Sequence, residues 1–196
     1  NLEDYKVIPD RIEAGSYILA TMATKGRLRL NNFNPNDLTF PLKIYQDMGL
    51  KIKKISKTSY EFNCKTLKPI KKISTKEFPG YPTDLQAQLI ATQLKSALKS
   101  KVVENIFENR FIHIPELRRF GANLSIIGKT VTIHKTLNLF GAEVMATDIR
   151  ASFSLIIAAM MSKGTTVINR IYHLDRGYED FDLKLKKCGV NISRKK

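Results

Sequence analysis

Cysteine is scarce in this chain: Cys64 and Cys188 are the only two in 196 residues, and neither belongs to a CxxC or Cys/His spacing. A disulfide framework and a zinc knuckle are therefore disfavoured, and a reducing cytoplasm is the default. Histidine is equally sparse, and His113, His134 and His173 make no metal-ligand spacing. Long apolar runs are missing. The uncharged stretch Ala151–Ser162 has 12 residues, against the about 20 that a bilayer-spanning helix needs. The opening Asn1-Leu2-Glu3-Asp4-Tyr5 carries no basic-then-apolar leader. Neither GxGxxG nor GxSxG occurs. Gly128-Lys129-Thr130 imitates the end of a phosphate-binding loop, but six residues separate Gly128 from Gly121 where the motif needs four. It reads as a hairpin turn instead.

What is present describes a globular protein. The chain is 43% hydrophobic and 26% charged, and at this length it buries roughly 70% of its unfolded surface without a staple. The formal charge is +15, from 33 basic and 18 acidic residues. Lysine dominates, and ten lysines fall between Lys43 and Lys76 against two acids, Asp47 and Glu61. Tyr45, Tyr60 and Phe62 lie in that stretch but form no ladder for stacking bases. Dispersed lysine gives a general field rather than a shaped groove, which favours a solvated surface over a nucleic-acid footprint.

The chain also repeats itself. Gly26 and Gly164 lie 138 residues apart, twice 69, and similar local grammar recurs midway, near Ser100. An asparagine follows each anchor by five residues (Asn31, Asn105, Asn169), and an aspartate precedes each by sixteen (Asp10, Asp84, Asp148). A second glycine follows later in each copy: Gly49, Gly121 and Gly189. Repeats are read before any other feature because they set the architecture.

Each copy predicts an apolar helix after its aspartate, at about 12–23, 83–99 and 148–161. A short strand then follows the anchor, as at 27–30 and 165–168. A second, amphipathic helix ends at the second glycine, a residue suited to a left-handed cap. Leu38, Leu42, Tyr45 and Met48 mark its buried stripe in the first copy, and Phe181, Leu183 and Leu185 in the third. A hairpin closes the copy, with strands 124–127 and 130–133 in the second. The helix carrying Phe153, Leu155, Ile156, Ile157, Met160 and Met161 is apolar almost all round and should be buried on every side. The expected fold is a single α/β domain over 1–196. It holds three βαβαββ-like units (about 1–70, 71–140 and 141–196) around a pseudo-threefold axis, helices inside and sheets outside. The third unit reaches Lys196 without its closing strand.

Candidate chemistry lies at matching positions of the units. Asp84 and Asp148 open buried helices, Arg110 and Arg176 follow central strands, and Arg150 stands two residues after Asp148. Each aspartate could simply cap its helix, for about 1 kcal/mol. Each arginine could form a surface ion pair worth under about 1 kcal/mol. The repetition, however, aims the same loop of each unit at one end of the domain. Arginines gathered there suit a planar carboxylate or a phosphate.

At these residues the chain resembles the bacterial UDP-N-acetylglucosamine enolpyruvyl transferases (1-carboxyvinyltransferases). The matching segments are Phe78-Pro79-Gly80-Tyr81-Pro82-Thr83-Asp84-Leu85-Gln86-Ala87-Gln88, Phe107-Glu108-Asn109-Arg110-Phe111-Ile112-His113-Ile114-Pro115-Glu116-Leu117, Ala146-Thr147-Asp148-Ile149-Arg150-Ala151-Ser152 and Ile171-Tyr172-His173-Leu174-Asp175-Arg176-Gly177-Tyr178-Glu179. The opening Val7-Ile8-Pro9-Asp10-Arg11-Ile12-Glu13-Ala14-Gly15 fits as well. The shikimate-pathway enolpyruvyl transferase shares the fold but looks different at these segments.

The resemblance implies an enzyme of two three-repeat domains with the site in the cleft between them. It would move an enolpyruvyl group from phosphoenolpyruvate to the 3-hydroxyl of UDP-N-acetylglucosamine in the first committed step of peptidoglycan synthesis. Carried over by motif, Asp84 would meet that hydroxyl and act as base, and Ile106 would bind the nucleotide sugar through its backbone. Arg110, Arg150 and Arg176 would bind anionic groups or orient the cleft, and Asp148 would assist proton transfer at the tetrahedral intermediate. The scheme requires no metal and no organic cofactor.

The family's catalytic cysteine lies in a glycine-flanked loop of the other domain, and neither Cys64 nor Cys188 matches it, so both read as structural. The chain thus corresponds to the C-terminal half, with the N-terminal partner domain absent and activity expected to need that domain. Two rivals stand beside this reading. One is a nucleic-acid-binding module, because the repeat architecture also resembles RNA-end-processing cyclases. The other is a non-catalytic remnant of the fold.

Overall fold

The computed structural model describes residues 7–96 and 98–195. The opening five residues read for a leader, and Lys196, lie outside the described residues.

Three successive stretches of chain use the same vocabulary. The first holds α1 (Arg11–Ala23), β1 (Arg27–Leu30), α2 (Thr39–Asp47) and the hairpin of β2 (Lys51–Lys54) and β3 (Tyr60–Asn63). The second holds β4 (Lys72–Ser74), α3 (Gln86–Gln93), β5 (Ser100–Val103), α4 (Ile114–Arg119), β6 (Leu124–Ile127) and β7 (Thr130–Ile133). The third holds β8 (Glu143–Met145), α5 (Ser152–Met161), β9 (Val167–Asn169), α6 (Tyr172–Asp175) and α7 (Phe181–Lys187).

Sheet topology follows the same scheme. In the second stretch β4 runs parallel to β5, and the antiparallel β7 and β6 complete the order β4-β5-β7-β6. The first sheet, β1-β3-β2, has the antiparallel part of that pattern, and the third, β8-β9, has the parallel part. Among the described residues the third stretch has no hairpin.

Helices α1, α3 and α5 pack on one another at the centre. All eight residues of α3 are buried, including Gln86, Gln88, Thr92 and Gln93. Most of that polarity is satisfied internally: Thr92 Oγ1 donates to the Gln88 carbonyl at 2.8 Å, and Gln93 Oε1 accepts from Ile70 N at 3.1 Å. Close approach of α1 depends on Gly15, where a Cβ would sit 2.6 Å from Leu85 Cδ1.

Several expectations hold at residue level. Leu38, Leu42, Tyr45 and Met48 are all buried. Gly49, Gly121 and Gly189 follow α2, α4 and α7 with φ of 108°, 88° and 89°, the left-handed caps read from sequence. Gly128-Lys129 joins β6 to β7, with φ 53° at Gly128.

Other expectations are corrected. Helix α3 ends at Gln93 rather than 99, because the chain tightens through Leu94 N to Ala91 O and Ser96 N to Gln93 O before entering β5. Helix α5 begins at Ser152 rather than 148, since residues 148–151 form a turn held by the Asp148 carboxylate. Its last residues, Met160 and Met161, are partly exposed, so the helix is buried along most of its length but not at its end. Leu183 is 53% exposed while Phe181 and Leu185 are buried, because residues two apart on a helix face opposite ways. Cys64 is buried, and burial pushes its thiol up, but Cys188 is exposed and packs no core. No helix among the described residues is long and apolar enough to cross a membrane.

Candidate active site

The three aspartates that mark the expected repeats do not share one role. Asp10 caps α1, its Oδ1 accepting from Ile12 N at 2.7 Å and Glu13 N at 3.2 Å. Asp148 caps its own turn, with Oδ1 accepting from Arg150 N at 2.8 Å and Ala151 N at 2.6 Å. Asp84 makes no capping bond. Its Oδ1 instead accepts from Arg110 Nη2 at 2.6 Å, in a pair that is 38% exposed at the acid and 22% at the arginine. The capping explanation therefore serves two aspartates and fails for the third.

Arg110 is fixed from three directions. Nη1 donates to Thr83 Oγ1 at 3.1 Å, Nη2 to Asp84, and the guanidinium lies over the Phe107 ring, 4.8 Å from its centroid. Arg150 is fixed too. Its Nη1 donates to the Gly177 carbonyl at 3.1 Å, its Nη2 to Asp10 Oδ2 at 3.0 Å, and it lies 5.4 Å from the centroid of Tyr178. Burial pulls the Arg150 guanidinium down, but Asp10 and Tyr178 outweigh it and hold the charge in place. Gly177 allows this approach, because a Cβ there would sit 2.2 Å from Ile149 Cγ2. Arg176 is exposed and makes no ion pair among the described residues.

Two open cavities share Arg150 and Arg176. The first, about 790 Å³, is lined by six carboxylates, and its Arg194 is already paired with Asp175 and Asp182. An anion entering there meets excess negative charge. The second, about 710 Å³, brings Asp84, Arg110, Asp148, Arg150 and Arg176 to one wall, beside Phe107 and His173. Five of the six expected site residues meet in that cavity. Ile106 does not line it, although its neighbour Phe107 does. None of residues 43–76, the lysine-rich stretch, lines either cavity. No group of metal-ligating side chains occurs among the described residues.

Reading the sequence missed three contributors. Asp10 is visible as a repeat marker, but not as the partner of Arg150, which lies 140 residues away. Glu104 is 2% exposed and accepts from Thr75, Thr83, Ile106 and Phe107. Gln88 Nε2 lies within 3.1 Å of Ser16 Oγ and Tyr178 OH and 2.9 Å from the Asp84 carbonyl, linking α1, α3 and the third stretch beneath the site. Only the run of polar residues in an otherwise apolar helix could have signalled Gln88.

Residues 1–185 match the family profile described as EPSP synthase (3-phosphoshikimate 1-carboxyvinyltransferase). The chain belongs to the EPSP synthase family. Within it, similarity in sequence runs to UDP-N-acetylglucosamine 1-carboxyvinyltransferases. The protein of that name from Pelagibacter ubique is 47% identical over 191 residues, covering 97% of this chain and 46% of the relative. The one from Campylobacter lari is 48% identical, covering 97% and 45%. Among solved structures, the enolpyruvyl transferase NikO from Streptomyces tendae superposes with a TM-score of 0.85 at 24% identity, covering 97% of this chain and 45% of that one. EPSP synthase from Acinetobacter baumannii gives 0.73 at 15%. These likenesses show the enolpyruvyl-transferase fold. The chain spans about half the length of the curated relatives it matches.

Proposed function

We propose that this chain forms one wall of a cytoplasmic enolpyruvyl-transfer site that joins phosphoenolpyruvate to the 3-hydroxyl of UDP-N-acetylglucosamine and releases phosphate, at the entry to peptidoglycan synthesis and hence to cell-wall growth and division. The observation that carries this is the convergence of Asp84, Arg110, Asp148, Arg150 and Arg176 on one cavity, in a chain 47% identical to the UDP-N-acetylglucosamine 1-carboxyvinyltransferase of Pelagibacter ubique. The single domain of three units is part of the proposal, as is a second, N-terminal domain that supplies the opposite wall.

The chemistry suits these residues. Adding an alcohol across an enol ether needs a base at the hydroxyl and an acid at the methylene carbon. Asp84 would be the base, its second carboxylate oxygen meeting the hydroxyl while Oδ1 stays paired with Arg110. Asp148 has one carboxylate oxygen engaged by backbone amides, and its other oxygen would assist proton transfer at the tetrahedral intermediate. Arg110, Arg150 and the exposed Arg176 would hold the phosphate and carboxylate, a task for cations that do not titrate. Ile106, whose N–H already donates to Glu104, would offer the nucleotide sugar its carbonyl. The acid for the methylene carbon would come from the second domain.

The test is a titration of UDP-N-acetylglucosamine into isotopically labelled chain, followed by backbone amide shifts. Saturable shifts clustered at Asp84, Ile106 and Arg110 are expected. Their absence at millimolar ligand would overturn the proposal that this wall binds the sugar nucleotide by itself.

A further inference from the structure

Glu104 is the most buried acid in the neighbourhood of the site, and among the described residues it has no cation beside it. At 2% exposure it makes no ion pair among the described residues. Its two oxygens are met by hydrogen bonds, and their distribution is uneven. Oε1 accepts three, from Thr75 Oγ1 at 2.8 Å, Ile106 N at 2.8 Å and Phe107 N at 3.2 Å. Oε2 accepts one, from Thr83 Oγ1 at 2.8 Å.

A hydroxyl has one proton to give. Thr83 donates its proton to Glu104, which leaves its lone pairs for Arg110 Nη1 at 3.1 Å. The same guanidinium then reaches Asp84 through Nη2 at 2.6 Å. Thr75 repeats the arrangement, giving its proton to Oε1 and accepting from Asn105 N at 2.8 Å. Both relays run toward the buried carboxylate, so the carboxylate sets their direction. The three bonds at Oε1 meanwhile tie the start of the 104–110 loop, which carries Phe107 and Arg110, to Thr75 just after strand β4 and to the loop's own first turn.

We infer that Glu104 is a positioning residue: through Thr83 it holds the Arg110 guanidinium in the orientation that faces Asp84 and the cavity. The role in transfer rests on the function proposed above, whereas the positioning itself does not. A neutral amide in the place of this carboxylate could not accept from both threonines at once.

Glu104→Gln isolates the claim at a single atom. Its carbonyl oxygen can keep the three bonds at Oε1, so the loop stays tied. Its amide nitrogen now points a donor at Thr83 Oγ1, which already receives one from Arg110, and the threonine proton loses its acceptor. Thr83→Val removes the relay from the other side. The primary readout is the arginine guanidinium NMR spectrum of the full chain without ligand. In the native chain Arg110 should show resolved Nη protons with slow rotation, unlike the exposed Arg176. In either variant, with the backbone amide spectrum unchanged outside residues 83–84 and 104–110, the Arg110 signals should average.

Affinity for UDP-N-acetylglucosamine should fall about tenfold in each variant, and by no more in the double variant, because both act on one relay. Unchanged Arg110 signals in a folded variant, or equal affinity for a ligand that the native chain binds, would overturn the inference. Where Glu104→Gln does not fold, Thr83→Val decides alone by the same criterion. A native chain that binds no nucleotide sugar would overturn the proposed function, and the guanidinium readout would still decide the role of Glu104.

Discussion

Asp84 and Arg110 form a half-exposed pair, and such pairs add little to stability, typically under about 1 kcal/mol once solvent screening is counted. Asp84→Asn should therefore leave the urea midpoint almost unchanged while weakening nucleotide-sugar binding about tenfold, as measured by calorimetry. A large loss of stability would mark the pair as structural instead. His113 makes the opposite case. Among the described residues both of its ring nitrogens are buried without a partner, and burial, helped by the Arg110 charge, pushes the imidazole down to about 3. The unfolded chain takes up that proton near 6.5 and the folded chain does not until about 3, so the contribution of His113 is complete above about 6.5 and is lost as pH falls toward 3. The loss is on the order of a few kcal/mol. Urea unfolding between pH 7 and pH 4 should show this slope in the native chain and a flatter one in His113→Leu; equal slopes would refute it. The spacing of Asp10, Asp84 and Asp148 was legible in the sequence because each stands sixteen residues before its anchor. That Asp10 and Asp148 would cap while Asp84 would not was hidden, since Asp84 is held by an arginine 26 residues further along the chain. Glu104 was silent for a related reason: an acid after an apolar strand is normally solvated, and only tertiary packing buries this one.

Elements were legible wherever a local signal fixed their ends. Strand β1 and the hairpin of β6 and β7 fall where alternation and the Gly128-Lys129 turn put them. Helix α3 was read too long because residues after Gln93 stay apolar or helix-compatible, while the real stop is the need to enter β5 beside β4. Glycines where elements meet separate two kinds of tightness. A Cβ at Gly141 would lie 2.1 Å from the Thr165 carbonyl oxygen, part of a backbone that cannot turn aside. At Gly15 the nearest atom is the end of the Leu85 side chain, at 2.6 Å. Gly141→Ala should therefore lower stability by about 3 kcal/mol or more, and Gly15→Ala by about 1–2 kcal/mol. Thermal unfolding of both variants checks the order, and a reversal would mean that the contact of α1 with Leu85 yields less than the edge of the third sheet.

At the scale of the molecule, the positive charge and the site are separate matters. The lysine-rich stretch contributes to neither cavity, and the cavity with converging arginines carries acids in near balance. An assay of this chain with phosphoenolpyruvate and UDP-N-acetylglucosamine should release no phosphate above background, because the proposed acid lies on the opposite wall. Robust turnover would overturn the two-wall scheme. The first and third stretches are also fastened directly: Arg150 to Asp10, Lys184 to Glu13 at 2.8 Å, and Tyr178 OH to Ser16 Oγ at 2.8 Å across 162 positions of sequence. That fastening has a consequence during synthesis. A ribosome adding about 5–20 residues per second needs roughly 8–30 s to travel from Ser16 to Tyr178. Throughout that interval the first helix has been made but the partner that seals it has not. The nascent chain must therefore carry one apolar face of α1 uncovered until its last third emerges, and this interval is when a chaperone would find it.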